Sequence, residues 1–186
     1  MNLETLEYPP LTEDIEEAKN HLDKYGMALI ANVLSNDEID EMDQRLNEQF
    51  LGEEKYKVGS KVRGDEGLGL ESSEEEKVSR LVWNLINKGD CFLKLIDHPK
   101  ILPLIQHLIG EKVCLCSMGA HMNGSGNEKM ALHQDQWPLV PHPMDFPFMA
   151  NVMYLISDNS PENGGTRLIP GSHKWPLIDY RTANGE

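Results

Sequence analysis

Six consecutive residues, Leu132-His133-Gln134-Asp135-Gln136-Trp137, carry the sharpest chemical signal in the chain. On a β-strand, residues i and i+2 project to the same face, so the imidazole of His133 and the carboxylate of Asp135 can be offered to one metal ion. One more histidine from elsewhere would complete a two-histidine, one-carboxylate facial triad. That arrangement leaves open positions on Fe(II) for a co-substrate and dioxygen. A bare His-x-Asp spacing also arises by chance, and its other reading is a satisfied core or surface pair.

The remaining reactive side chains read more blandly. Cys91, Cys114 and Cys116 are odd in number and lack a disulfide-framework or Cys-x-x-Cys spacing. Cys114 and Cys116 would share one face of a strand as a soft-metal pair, but buried reduced thiols are the favoured reading. His21, His98 and His107 fall on helical segments as solvent-facing or capping residues, and His121 precedes a glycine-rich turn as an outside candidate for a substrate contact. Trp137, Met144, Phe146, Phe148 and Met149 can wall a substrate site, with packing the favoured alternative.

The elements that must position these residues change character along the chain. Thr12 caps a helix expected over 12–25, with acidic residues in its first turn, Ile15, Ala18 and Leu22 on one face, and Gly26 at its end. A strand is expected over 27–33. Ser35 and Glu38 then stand at the capping-box spacing, opening a helix to about residue 50 that buries Ile39, Met42 and Leu46. Residues 51–72, with five glycines and many charges, read as a long mobile loop. A helix is expected over 73–87, where Glu74-Glu75-Glu76 supplies an acidic start, although Arg80-Leu81-Val82-Trp83-Asn84-Leu85-Ile86 taken alone also suits a strand. Residues 91–109 are helical in pattern, interrupted by Pro99 and Pro103 and closed by Gly110. Beyond Gly110, short apolar segments at 112–121, 130–137, 148–156 and 164–169 alternate with turns rich in Gly, Asn and Pro, which predicts an antiparallel β region.

A length of 186 residues with 39% hydrophobic and 26% charged side chains suits one globular domain and excludes disordered and collagen-like classes. The expected division of the domain over 1–186 is a mostly helical part, 1–110, and a β part, 111–186. The net charge of −14 argues against nucleic acid or an anionic membrane as a partner. Residues 1–76 hold 21 acidic and 7 basic side chains, whereas 77–186 hold 10 of each, so the segment with the candidate chemistry is neutral. No apolar run approaches the roughly 18–20 residues of a membrane span, and the opening MNLETLEYPP lacks signal-peptide character. The expected location is the cytoplasm.

The motifs LHQDQWP, MANVMYLIS and ENGGTRLIPGSHKW follow one another across 133–173 in the order and at the spacing of the phytanoyl-CoA dioxygenase family, which the chain therefore resembles. The resemblance extends to DHPKILPLIQHLIGEKV at 97–113 and to KYGMALIANVLSNDEIDEM near the start. It implies an α+β protein with a mainly β core, a double-stranded β-helix of jelly-roll or cupin-like type with N-terminal helices packed on one sheet. It further implies that His133 and Asp135 bind Fe(II), and that Thr166 and Asn151 line the pocket of the co-substrate 2-oxoglutarate. For Thr166 the alternative is ordinary strand pairing, and for Asn151 a buried polar side chain bonded to backbone. The implied activity is oxidation of a small organic molecule by O₂ and 2-oxoglutarate, usually hydroxylation, with succinate and CO₂ as co-products. No basic cluster suited to the phosphates of CoA is evident, so a small uncharged or amphipathic metabolite is expected.

The family pattern also includes later barrel strands, a distal histidine ligand and an arginine for 2-oxoglutarate, and this sequence matches none of them by its last residue. His142 follows Asp135 too closely, in a proline-bracketed loop. His173 matches the family's turn after the glycine-rich strand, and Arg167 and Arg181 suit surface pairing. The barrel is thus expected to be incomplete here, either because the sequence is part of a longer enzyme or because it is a short homologue acting as a binding or regulatory module. A cupin-like metalloprotein with another metal is a third reading. An unfinished barrel predicts unpaired sheet edges and self-association.

Overall fold

The structure is a computed structural model that describes residues 7–63, 67–68, 79–123, 133, 135 and 146–175. A short strand, β1 (Leu11–Thr12), pairs in parallel with β2 (Leu29–Ile30), and helix α1 (Ile15–Tyr25) connects them. Asp14, not Thr12, caps α1: its carboxylate accepts from the backbone N–H groups of Glu16 and Glu17 at 2.8 and 3.0 Å. An ionised acceptor suits the positive end of a helix better than a hydroxyl does. Thr12 is drawn into β1, and its hydroxyl donates to the Glu17 carboxylate. Gly26 ends the helix at φ 74°, the left-handed conformation expected of a terminal glycine.

Helix α2 (Asn36–Tyr56) opens on the anticipated capping box, with the Ser35 hydroxyl facing the Glu38 N–H and the Glu38 carboxylate accepting from the Ser35 N–H at 2.9 Å. Hydrogen bonds donated to it by the Ser35 N–H and hydroxyl hold the Glu38 carboxyl below its ordinary pKa. The helix runs past residue 50 and through Gly52. Phe50 is among its buried residues, and Gln49 Nε2 donates to the Glu53 carboxylate at 2.9 Å in a half-buried bond one turn apart. The expected loop over 51–72 is therefore partly regular: it contributes the end of α2, strand β3 (Ser60–Arg63) and strand β4 (Gly67–Leu68).

The expected helix over 73–87 is replaced, in its described part, by strand β5 (Ser79–Trp83) and a 3₁₀ turn at Leu85–Asn87. Antiparallel pairing decides this. β5 lies between β3 and β6 (Gly119–Met122), with Leu81 opposite His121 and Val82 opposite Ala120, and the sheet order is β4-β3-β5-β6. Successive side chains on β5 point to opposite faces, yet Leu81 and Val82 are only 2% and 0% exposed. Both faces are covered there, which removes the alternating pattern of a half-buried strand and makes the run resemble a helix. The acidic start at Glu74-Glu75-Glu76 lies outside the described residues.

Helix α3 (Asp90–Leu93) is short, and Pro99 precedes a fresh start at α4 (Leu102–Ile109), whose first turn contains Pro103. One cluster joins Met42, Leu46 and Phe50 of α2 to Val82, Leu85, Cys91, Phe92 and Leu95, and Tyr154 and Ile156 pack against it from the far end of the chain. The segments 112–118, 148–156 and 164–169 contain no regular strand, and the described residues close no barrel. The expected mainly β core is, in the described residues, a mixture of helices with small sheets. No helix among the described residues is long and apolar enough to cross a membrane.

Candidate metal-binding site

His133 and Asp135 are described individually, His133 outside regular structure and Asp135 in a turn, so the strand expected over 130–137 otherwise lies outside the described residues. Their side chains converge all the same. His133 Nε2 stands 3.4 Å from Asp135 Oδ1, longer than a normal N–H···O hydrogen bond. Both side chains remain about half exposed. Two donors each about 2.1 Å from one divalent ion stand roughly 3.0 Å apart at a right angle and roughly 3.4 Å apart at a tetrahedral one. An imidazole nitrogen and a carboxylate oxygen at the observed separation therefore fit neighbouring positions around such an ion. No group of three or more metal-ligating side chains occurs among the described residues.

Asn151 joins this pair from 16 residues away, its Nδ2 donating to Asp135 Oδ2 at 2.6 Å. A carboxylate can only accept, so the amide must present its nitrogen. Neither the co-substrate reading of Asn151 nor its alternative anticipated the contact, and no local spacing signals it. Asn151 is exposed, so the alternative of a buried side chain bonded to backbone does not hold.

The segment bearing Asn151 is fastened three residues on. The Tyr154 hydroxyl donates to the Leu95 carbonyl at 2.8 Å, and its ring meets that of His98 edge-on with centroids 6.4 Å apart. Burial pushes the Tyr154 phenol up to about 12. Tyr154 and Ile156 turn towards the core while Met153 and Leu155 are exposed, the alternation of an extended chain, although no described residue pairs with it as a strand. Thr166 is exposed in a segment without regular structure. The neighbouring Gly164 accepts at its carbonyl from Asn123 Nδ2 at 2.8 Å and adopts φ 79°, a conformation that suits glycine.

The other candidates are placed elsewhere. The His173 ring lies against Gly26, where any Cβ would strike it, and its Nε2 is 3.4 Å from the Asp23 carbonyl. In the same turn Gly171 N–H donates to the Tyr25 carbonyl at 2.7 Å, so residues 170–175 close over the end of α1. His21, expected at the surface, is 8% exposed, and its Nδ1 has no hydrogen-bond partner among the described residues. His107 instead reaches Asp23 at 2.9 Å, and His98 accepts from the Lys100 N–H. His121 is exposed on β6, and partial desolvation of its ring lowers its pKa. Cys91 is buried, which raises its thiol pKa, but Cys114 and Cys116 are exposed, contrary to expectation. Arg167 is exposed, Phe146 is exposed, and Phe148 and Met149 are half-buried. Trp137, Met144, His142 and Arg181 lie outside the described residues.

Comparison with known proteins places this geometry in context. The family model described as phytanoyl-CoA dioxygenase (PhyH) matches residues 22–184. Dioxygenase af480 of Aspergillus fumigatus is 30% identical over 165 residues, covering 89% of this chain and 51% of that protein. A probable alpha-ketoglutarate-dependent hypophosphite dioxygenase of Stutzerimonas stutzeri is 27% identical over 173 residues, 89% of this chain and 56% of that protein. Dioxygenase sphC of Aspergillus fumigatus is 24% identical over 173 residues, 88% of this chain and 46% of that protein. The chain thus spans about half the length of these curated relatives. No solved structure matches it significantly.

Proposed function

Because this chain belongs to the phytanoyl-CoA dioxygenase family, we propose that it acts as, or within, an Fe(II)- and 2-oxoglutarate-dependent dioxygenase that hydroxylates a small organic metabolite. The observation that carries the reading is the approach of His133 Nε2 and Asp135 Oδ1 to 3.4 Å. The similarity to an alpha-ketoglutarate-dependent relative supports the choice of co-substrate. The fold completed around the site is a cupin-like double-stranded β-helix within one domain.

In this reading His133 and Asp135 hold the iron. The ion supplies the redox chemistry that couples oxidative decarboxylation of 2-oxoglutarate, giving succinate and CO₂, to insertion of an oxygen atom into a C–H bond of the substrate. His133 must offer an unprotonated Nε2, and Asp135 brings a single negative charge. Asn151 and Thr166 line the co-substrate pocket. The Asn151 amide keeps a second N–H and its carbonyl oxygen for that role while bonded to Asp135. Tyr154, bound to Leu95, holds the segment against the core. With no basic cluster in the sequence suited to the phosphates of CoA, an uncharged or amphipathic metabolite is the favoured substrate class.

The test is an anaerobic titration with Fe(II) and 2-oxoglutarate, following the weak visible absorption that the two give together in such a site. The parent protein should develop the band and His133→Ala should not. A folded parent without the band would sink the proposal for this form.

A further inference from the structure

We infer that Asn151 is a positioning residue that fixes Asp135 as a one-oxygen ligand. This rests on the reading of His133 and Asp135 as metal ligands. A carboxylate has two oxygens, and a divalent ion can take one or both. Here the two are already distinguished: Oδ2 accepts the Asn151 amide at 2.6 Å, and Oδ1 faces His133 Nε2 at 3.4 Å. The hydrogen bond takes one lone pair of Oδ2 and sets the plane of the carboxylate with Oδ1 beside His133 Nε2, which makes Oδ1 the oxygen offered to an ion that His133 also binds. A one-oxygen ligand leaves a further coordination position open, which a site that must admit both a bidentate co-substrate and dioxygen requires.

Asn151 is itself held in place by the core. Tyr154, three residues later, donates to the Leu95 carbonyl, and Tyr154 and Ile156 pack against the cluster containing Met42 and Phe92. The Asn151 side chain leaves this anchored segment towards Asp135, so the orientation of the carboxylate is referred to the helical core and not only to its own turn. Partners that orient ligating carboxylates in this way typically alter metal affinity by about 10–100-fold when removed. An ordinary exposed Asn–Asp hydrogen bond would leave metal binding unchanged.

The experiment titrates the parent chain, Asn151→Leu, Asn151→Ala and His133→Ala with Co(II), reading affinity and the visible absorption that reports coordination geometry, with thermal unfolding in parallel. Leu matches Asn in size and lacks its donor, and Ala guards against a misfit of Leu. Both Asn151 variants should bind about 10–100-fold more weakly with an altered spectrum, while unfolding as the parent does. Parent-like affinity and spectrum in both, with binding lost in His133→Ala, would overturn the role of Asn151 and leave the metal site standing. Absence of binding in the parent, or parent-like binding in His133→Ala, would overturn the site itself and this inference with it.

Discussion

The helix-and-sheet cluster around Phe92 and the segment over 146–175 are held by different forces. In the first, α2, β5 and α3 bury a continuous set of apolar side chains from Met42 to Leu95. In the second, Pro170 alone among the described side chains is buried, and Phe146, Val152, Met153, Leu155 and Leu168 stand exposed. Apart from Tyr154 and Ile156, which pack against that cluster, the segment takes its place from tethers such as Tyr154 to the Leu95 carbonyl, Gly171 to the Tyr25 carbonyl, and the Gly164 carbonyl to Asn123. Burial of apolar area is non-directional and supplies most of the stability, whereas a hydrogen bond contributes little net energy but fixes direction. Asn151, which bonds the candidate ligand Asp135, thus stands where direction is specified and stability is borrowed from the neighbouring core.

This division makes mutational effects unequal. Phe92, 2% exposed at the centre of the cluster, should cost about 3–5 kcal/mol when replaced by Ala, read from urea unfolding. A loss below about 1 kcal/mol would show that the cluster is not the source of stability. Tyr154→Phe should cost about 1 kcal/mol, because the hydroxyl bond to Leu95 is lost while the ring remains packed. The same substitution should weaken Co(II) binding at His133 and Asp135 through the loosened Asn151, and unchanged metal affinity would separate the anchor from the site.

The Tyr154 phenol also gives the comparison a pH signature. Its pKa in the folded protein is raised to about 12, against about 10 for an unfolded tyrosine. The folded-state value is the higher, so its contribution is complete below about pH 10 and is lost as pH rises towards about 12. Unfolding midpoints at pH 9 and 11.5 should fall further in the parent than in Tyr154→Phe, and equal falls would remove Tyr154 as the cause. The smallest effect is expected at Met153, 55% exposed, where Met153→Ala should change stability by less than about 0.5 kcal/mol. A larger loss would mean that this apolar face is covered in solution.

What the sequence determined by itself was whatever a few neighbouring residues decide. The Ser35–Glu38 capping box, the glycine ends at Gly26 and Gly110, and the proline-delayed start of α4 follow from backbone hydrogen bonding within one or two turns. The two-residue spacing of His133 and Asp135 is equally local, and the motif order across 133–173 carried the family. Tertiary structure alone decided the rest. β5 became a strand because β3 and β6 pair with both its edges, and His21 was buried by the packing around α1. His173 settled on Gly26, about 150 residues away, and Asn151 reached the Asp135 carboxylate across 16 residues. Contacts of that separation depend on where the chain returns to, which no local period or cap encodes.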